Sequence, residues 1–257
     1  MKSDFLNITA QNIDKEHICC AFSEKKCKEG YELKKEWLKE QFTKGYVFYR
    51  LNERAKVFVE YGPAEEAWSP IVAPGFILIN CFWVSGRYAG NGYGKQLLKH
   101  VIDEAKAKGY KGIVIIAGFK KIPFFPDPKW LIRQGFKESD KLNLGYLLME
   151  YVIEESREKP QFTASLKEEP KGLPLGLVAF YSNRCPFSEY YVNIELTRIA
   201  KEHDLPLQII RINSKEMAQN VPTPATLFSL FKDGVFLTSD MSVCLDGKFE
   251  KIVFNSK

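Results

Sequence analysis

The sequence predicts an α/β (α+β) protein with two domains: a mixed twisted sheet with flanking helices, followed by a smaller α/β domain. The chain has 257 residues, more than one domain usually contains. An apolar run, Phe76–Val84, leads through a glycine-rich loop into a helical pattern and then into a second apolar run, Ile113–Ala117. This succession is typical of a parallel crossover. A polar stretch then separates it from another strand–helix pattern.

Before the glycine-rich loop, the pattern alternates between helix and strand. Ile18–Phe22 is a short apolar run, and we expect a strand there. Lys28–Phe42 carries apolar residues at helical spacing. Tyr46–Leu51 and Ala55–Tyr61 are rich in aromatic and β-branched residues and predict a hairpin. Gly62–Gly75 contains three prolines and predicts a loop.

After the loop, an amphipathic helix begins near Tyr93 and ends before Gly109, with its apolar side chains on one face. Lys129–Gln134 predicts a short helix, and Phe136–Lys141 and Leu144–Ile153 predict two further strands. We therefore place the first domain at residues 1–155.

Residues 156–172 are rich in Glu, Lys and Pro and predict a linker. Residues 173–257 form the second predicted domain. Its expected helices and strands are Leu175–Tyr181, a helix from Cys185 to about His203, Leu207–Ile212, Thr226–Phe231, Val235–Thr238 and a closing helix at Lys248–Phe254.

Composition excludes several classes of protein. Apolar residues make up 45% and charged residues 27%, which excludes a disordered or fibrous chain. The net charge of +5 is spread out and forms no basic block, so we expect no nucleic-acid partner. No apolar run is long enough to span a membrane and no secretory signal is visible, so we expect a cytoplasmic protein. The six cysteines follow neither a disulfide nor a zinc spacing, and we expect reduced thiols and no metal.

The glycine-rich loop, residues 85–94, has a chemical use. Glycines let the backbone curl so that several N–H groups converge, and a helix N-terminus adds partial positive charge. Together they can bind a pyrophosphate. A nucleotide P-loop is excluded because Gln96 follows Gly94-Lys95 where Ser or Thr is needed. A dinucleotide fingerprint is excluded because Lys95 occupies the place of the third glycine.

Strand, loop and helix together resemble the acetyl-CoA site of the GNAT superfamily of N-acetyltransferases. Gly92-Tyr93-Gly94-Lys95-Gln96-Leu97-Leu98 fits the end of that family's motif, and Gly135-Phe136 is similar to its late Gly-Phe. Two positions depart: Ala89 stands where the family has Arg or Gln, and Leu131 where many members have a catalytic Tyr. The resemblance implies these cofactor-binding residues: Phe82, Trp83, Val84, Ala89, Gly90, Asn91, Gly92, Tyr93, Gly94 and Lys95.

The resemblance also implies a reaction. Acetyl-CoA would be the co-substrate and would transfer its acyl group directly to an amine of a small molecule or peptide. A strand bulge near Phe82–Val84 would present a backbone N–H to the thioester carbonyl. The amine needs deprotonation, for which Glu60 is the first choice of base and Glu65, Glu66 and Asp127 are rivals. For each of the four, a solvated surface acid is the favoured alternative. Aromatic residues flank the expected cleft: Trp68, Trp83, Phe119, Phe124, Phe125 and Trp130.

The second domain has a strand, then Cys185-Pro186-Phe187-Ser188, then a helix. This order resembles thioredoxin and glutaredoxin folds, and the pairing of domains resembles bacterial YoaP-type two-domain acetyltransferases. The resemblance implies a thiol site at Cys185 with a facing cis-proline, Pro222 first and Pro224 second. A cysteine at a helix N-terminus can have a lowered pKa. Ser188 replaces the second cysteine, so dithiol exchange within the motif is excluded.

Two alternatives stay open beside the acetyltransferase. One is a non-catalytic acyl-CoA-binding sensor, which the missing tyrosine at Leu131 would suit. The other is a monothiol redox protein acting through Cys185. The acceptor amine, the preferred acyl chain and the oligomeric state do not follow from the sequence.

Overall fold

The computed structural model describes residues 4–18, 20–168, 170 and 172–254. The chain forms two compact units, each assembled from separate segments. Unit 1 comprises the residues up to Phe22, Leu38–Ala67 and Ile71–Phe162. Unit 2 comprises Ser23–Trp37, Trp68–Pro70 and the residues from Thr163 onward.

Unit 1 contains a mixed seven-stranded sheet in the order β1-β2-β3-β5-β6-β8-β7. Its strands are β1 Phe5–Ile8, β2 Val47–Leu51, β3 Val57–Pro63, β5 Phe76–Val84, β6 Gly112–Gly118, β7 Lys137–Leu142 and β8 Tyr146–Val152. The β5–β6 pair is parallel, and its neighbours on both sides are antiparallel. A separate two-stranded pair joins β4 Ile71–Val72 to β9 Gln161–Phe162.

The helices of the first part of the chain are α1 Lys28–Phe42, α2 Tyr93–Ala107 and α3 Pro128–Arg133. Helix α2 buries Leu97, Leu98 and Val101 in the main core of unit 1. Alternate residues of β3 and β5, such as Val59 and Ile79, face the same core. The apolar side chains that recur every 3.6 residues in α2 therefore pack against those that recur every second residue in the strands, and together they form one apolar layer.

Most of the predicted helices and strands of unit 1 are present, but the strand predicted at Ile18–Phe22 was wrong. The described residues among Ile18–Phe22 form no strand. Ile18 and Ala21 are buried. The run is therefore apolar because its side chains pack in the interior, and not because its backbone pairs with a neighbouring strand. The predicted linker, residues 156–172, contains the short strand β9. Phe162 is buried, and its N–H donates to Asp140 Oδ2 at 2.9 Å, which holds β9 in place. Strand β1 was not predicted.

Unit 2 contains a four-stranded sheet in the order β11-β10-β12-β13. The strands are β10 Leu177–Tyr181, β11 Leu207–Arg211, β12 Phe228–Lys232 and β13 Val235–Thr238. Strands β10 and β11 are parallel, and the other two pairs are antiparallel. Its helices are α4 Ser188–Tyr190, a π-helical turn Tyr191–Leu196, α5 Thr197–Glu202, α6 Lys215–Asn220 and α7 Asp246–Val253. Helix α6 was not predicted.

The two units divide α1 between them. Its residues up to Trp37 belong to unit 2, and those from Leu38 belong to unit 1. The domain division at residues 155 and 173 stays a prediction, while the contact-defined units assign Ser23–Trp37 and Trp68–Pro70 to the C-terminal part. These two short segments lie far from it in sequence, which is why no composition shift marks them.

Candidate active site

The central sheet of unit 1 splits at one point. Strands β5 and β6 pair in register only from Phe76 opposite Gly112 to Ile79 opposite Ile115. Beyond Ile79, β5 continues to pair with β3, and β6 continues to pair with β8. The two parallel strands therefore separate toward their carboxyl ends. The second half of β5, which includes Phe82–Val84, is only partly buried and borders this opening.

A β-bulge lies where the strands separate. Glu60 of β3 is opposite Cys81, but the next residue, Tyr61, is opposite Ile79, so Asn80 is the extra residue on β5. We expected the bulge near Phe82–Val84, and its observed place at Asn80 corrects that prediction. A bulge bends its strand and increases the local twist, which explains why β5 turns away from β6 here.

The glycine-rich loop ends at an uncapped helix. Gly92 is the N-cap of α2 and has φ 81°, a left-handed conformation that favours glycine. No side chain caps this end, and the first intrahelical bond runs from the Gln96 N–H to the Gly92 carbonyl at 3.1 Å. The N–H groups of Tyr93, Gly94 and Lys95 precede that bond and cannot find partners within the helix. They are well placed to bind an anion.

Side chains hold the loop in shape. The Asn91 side-chain amide donates to the Arg87 carbonyl at 2.7 Å. Arg87 Nη2 donates to the Tyr88 hydroxyl at 2.8 Å, and that hydroxyl donates to Glu53 at 2.6 Å. Gly90 also has φ 81°. The loop is therefore fixed at both ends while its glycines leave the space in front of the helix open.

The start of α2 lies close to β5. A Cβ atom added to Gly94 would lie 3.4 Å from the Trp130 ring and 3.7 Å from the Phe82 ring. Phe82 and Trp130 contact each other with ring centroids 5.4 Å apart. The predicted loop and strand residues therefore meet around the opening between β5 and β6. Their role in cofactor binding stays a prediction.

Glu60 lies inside the sheet, not on the surface. It is 2% exposed, and its Oε2 accepts a hydrogen bond from the Tyr46 hydroxyl at 3.0 Å. Side chains alternate along a strand, so Glu60 lies on the sheet face opposite to Val59 and α2. Register places Cys81 and Trp83 of β5 on that same face. The interpretation of Glu60 as a surface acid was wrong, and its role as a base stays a prediction.

The rival acids have structural partners. Glu65 Oε1 accepts the Gly75 N–H at 2.6 Å, and Asp127 Oδ1 accepts the Lys129 N–H at 2.9 Å, which caps α3. Leu131, where the family often has tyrosine, is 1% exposed and packs in the core. No proton can come from that position.

Two aromatic residues line the sheet face that carries Glu60. Trp83 stacks on Phe124 with ring centroids 6.4 Å apart. The indole Nε1 of Trp83 is buried and has no hydrogen-bond partner among the described residues. Phe124 is 56% exposed and adopts φ 65°, which is strained for a phenylalanine. Trp68, which we expected at the same cleft, belongs to unit 2 and contacts Trp37 there.

A partly buried polar pair beneath α2 was missed. The Tyr61 hydroxyl and His100 Nε2 are 2.9 Å apart, and His100 stacks on Tyr49 at 3.6 Å. Burial lowers the pKa of His100 and raises the pKa of Tyr61. His100 stands in the apolar stripe of α2, between Leu97 and Val101, and that position was the available signal. The pair fastens α2 to β3.

The cysteine turn of unit 2 differs from its prediction. Burial raises the pKa of the Cys185 thiol, and this outweighs the lowering by the Phe187 N–H, Lys34 and Ser188. No cis peptide bond occurs among the described residues, so the expected cis-proline at Pro222 or Pro224 was wrong. The Leu227 carbonyl instead accepts the Ser188 hydroxyl at 3.1 Å beside the turn.

The described residues offer neither a metal-binding group nor a membrane-spanning helix. Within residues 4–254, apart from the three positions left undescribed, no group of three or more His, Cys, Asp or Glu side chains could hold a metal ion. Over the same part of the chain, no helix is both long and apolar enough to cross a membrane. Cys27, Cys185 and Cys244 are present as thiols, while Cys19 lies outside the described residues.

Comparisons with known proteins identify the family of this chain. Residues 12–125 match the Acetyltransferase (GNAT) family, and residues 206–251 match the YoaP-like family. The chain is 42% identical over 250 residues to the Bacillus subtilis (strain 168) protein named "Uncharacterized N-acetyltransferase YoaP", which covers 97% of this chain and 98% of that protein.

Solved structures are more distant. The PaiA N-acetyltransferase of Thermoplasma acidophilum, in complex with coenzyme A, is 14% identical with a TM-score of 0.40 and covers 59% of this chain and 99% of its own. The ribosomal-protein-alanine N-acetyltransferase of Brucella melitensis is 16% identical with a TM-score of 0.39, covering 58% and 99%. On its identity to the Bacillus protein, the chain belongs to the family that joins a GNAT acetyltransferase domain to a YoaP-like domain, enzymes that transfer an acetyl group from acetyl-CoA to an amine.

Proposed function

We propose that acetyl-CoA binds across the opening between β5 and β6, with its pyrophosphate on the N–H groups of Tyr93, Gly94 and Lys95. The observation that carries this is the uncapped N-terminus of α2 beside a strand that has parted from its neighbour. The pyrophosphate satisfies the helix N-terminus electrostatically. The thioester then lies against Phe82–Val84, where β5 no longer pairs with β6.

We further propose that the acceptor amine approaches from the sheet face that carries Glu60. Cofactor loop and Glu60 lie on opposite faces, and the opening between β5 and β6 joins them. Glu60, buried and hydrogen-bonded to Tyr46, would take the proton of the amine. An amine with a pKa of ~10.4 is mostly protonated near neutral pH, so such a base is needed.

Acetyl transfer then proceeds by direct attack of the amine on the thioester. Glu60 first takes one proton from the ammonium group and releases it to solvent. The neutral amine nitrogen then attacks the thioester carbonyl carbon, a C–N bond forms, and the nitrogen loses its second proton to solvent. The C–S bond breaks, and coenzyme A leaves as a thiolate that takes a proton from solvent, because Leu131 offers none. A backbone N–H near the bulge would stabilise the oxyanion.

The acceptor's chemistry follows from Trp83 and Phe124. Two stacked aromatic rings favour an amine with a flat apolar body, and the unpartnered indole N–H favours an oxygen on it. Small-molecule and peptide amines both meet this description. The oxygen would satisfy the Trp83 N–H, which has no partner among the described residues.

The test is release of the coenzyme A thiol from acetyl-CoA against a panel of arylalkyl amines, with matched members that carry or lack a carbonyl or hydroxyl oxygen. We expect turnover, with a preference for the oxygen-bearing member that Trp83→Phe abolishes. Tight coenzyme A binding without turnover of any amine would instead favour the acyl-CoA sensor.

For unit 2, we propose a thioredoxin-like fold. Its support is the four-stranded sheet with a parallel β10–β11 pair and a helix that begins three residues after Cys185. The monothiol alternative concerns this unit alone.

A further inference from the structure

One face of α1 packs directly on the cysteine turn within unit 2. Cys27, Gly30 and Lys34 follow one another at spacings of three and four residues and so lie on one face of the helix. The short 3₁₀ turn Lys25–Cys27 runs straight into α1, which keeps Cys27 on that face. Cys27 and Lys34 are each 2% exposed, so the whole face is covered.

Gly30 sets how close the helix comes to the turn. A Cβ atom added to Gly30 would lie 2.3 Å from the Pro186 carbonyl oxygen and 3.1 Å from Glu189 Cβ. Real Cβ atoms do not approach backbone oxygens so closely, so only glycine allows this contact. The backbone of α1 therefore touches the residue that follows Cys185.

Cys27 faces the same turn. Lys26, its neighbour, places its Nζ 5.5 Å from the centre of the Tyr190 ring. Burial raises the pKa of Cys27 to about 11, with further contributions from the charges of Glu24 and Cys185. The 3₁₀ turn Lys25–Cys27 also contacts helix α4, which begins three residues after Cys185. On the other side, the Lys34 ammonium lowers the pKa of Cys185 against the larger effect of burial.

We propose that Cys27 and Cys185 form a two-thiol site, in which Cys27 supplies the second sulfur that Ser188 does not, and that this site exchanges with a low-molecular-weight disulfide. Cys185 is the attacking thiol, because the backbone N–H groups of Phe187 and Ser188 hydrogen-bond its sulfur and stabilise the thiolate. A low-molecular-weight disulfide can reach this partly buried cysteine more easily than a disulfide of another protein can. The proposal does not rest on the acetyl-transfer site.

The exchange balances in two steps. The Cys185 thiolate attacks one sulfur of R–S–S–R, that S–S bond breaks, and the first R–S⁻ leaves and takes up the proton that Cys185 released. The Cys27 thiolate then attacks the Cys185 sulfur of the mixed disulfide, and the second R–S⁻ leaves with the proton of Cys27. The protein loses two electrons and two protons, and R–S–S–R becomes two R–SH. Formation of the Cys27–Cys185 disulfide needs their Cα atoms to be ~4.4–6.8 Å apart. Gly30 favours this because it lets the backbone of α1 come close to the turn.

The experiment incubates the full chain with oxidised glutathione at about pH 8.5, near the ordinary pKa of a thiol. Acid quenching, alkylation, digestion and mass spectrometry then assign each cysteine. We expect a peptide linked through Cys27 and Cys185 as the main product. In Cys27→Ser, Cys185 should instead hold one glutathione, because nothing displaces it. Cys20→Ser, which removes a half-buried thiol of unit 1, is the matched control and should link as the parent does.

Two results would overturn the proposal. One is a parent chain that accumulates glutathione on Cys185 while Cys27 remains open to alkylation after quenching. The other is a parent chain in which neither thiol reacts. Both are obtained on the unaltered protein, so a variant that fails to fold cannot obscure the answer.

Discussion

Two strand–turn–helix junctions of this protein have the same local pattern and opposite surroundings. At Gly92 in unit 1, the helix begins without a cap and faces open space. At Cys185 in unit 2, the turn is covered by the backbone of α1 at Gly30. An open helix start suits a large anion, whereas a covered one raises the pKa of its thiol. Chemistry at such a junction is therefore decided by what packs on it.

The largest expected effect is the loss of coenzyme A affinity when the open junction at Gly92 is altered. In Gly92→Asp, a carboxylate stands where the pyrophosphate should bind, and the left-handed φ of 81° is strained for any side chain. A like charge at ~4 Å costs about 4 kcal/mol near a surface, which is about three orders of magnitude in Kd. Calorimetric titration with coenzyme A measures it.

Gly109→Asp is the matched control for that titration. Gly109 has φ 71° and open space around it, and it lies at the far end of α2. It should bind coenzyme A as the parent does. Unchanged affinity in Gly92→Asp would remove the loop from the cofactor site.

The next effect concerns the base on the opposite sheet face. Glu60→Gln keeps the shape but cannot accept a proton, so acetyl transfer at neutral pH should fall by ~100-fold or more. The deficit should shrink as pH approaches ~10, because the amine then deprotonates without help. The rate is followed by thiol release from pH 6 to 10.

Glu150→Gln is the control for Glu60, since Glu150 is an equally buried carboxylate of the same sheet. Its rate should follow the parent at every pH. A constant ratio of Glu60→Gln to parent rates across the range would exclude Glu60 from proton transfer.

A smaller effect tests the covered junction. Gly30→Ala forces a methyl group against the Pro186 carbonyl and should lower the free energy of unfolding by ~1–3 kcal/mol, as overpacking does. Gly247→Ala in α7 adds the same methyl to a helix with open space, and should stabilise by ~0.5–1 kcal/mol. Urea denaturation of both variants compares them. Equal effects of one sign would mean that α1 is not tightly packed on the turn.

The smallest effect is the pH dependence that Cys27 adds. Its pKa rises from 9.0 to about 11 on folding, so between these values the unfolded chain releases a proton that the folded chain keeps. Stability is therefore lost as pH rises through this window, by about 2 kcal/mol at pH 10.5 and about 2.7 kcal/mol in total. Cys27→Ala should lack this part of the decline. Parallel urea curves of parent and variant at pH 8 and about 10.5 measure the difference, and identical slopes with pH would contradict it.

The sequence predicted unit 1 well where the pattern is local. Strand Phe76–Val84 and the helix start at Tyr93 lie where periodicity placed them. The bulge at Asn80 was misplaced because it depends on register against β3, which no single strand reveals. Ile18–Phe22 was misassigned because a short apolar run can pack without pairing.

The candidate sites show the same limit. The glycine loop lies in one contiguous stretch and could be recognised from it. Glu60 could be named, but its burial and its partner Tyr46 depend on tertiary pairing. Cys27 and Cys185 lie in distant parts of the chain, and the contact at Gly30 that joins their segments leaves no trace in periodicity.

The division of α1 between the two units has a consequence for biosynthesis. Residues 23–37 leave the ribosome early, but the segment they pack on is made last. At ~5–20 residues per second, the face with Cys27 and Lys34 waits on the order of ten seconds for the Cys185 turn to be synthesised. A nascent chain, or one truncated after residue 155, therefore carries a helix face built for a partner that does not yet exist.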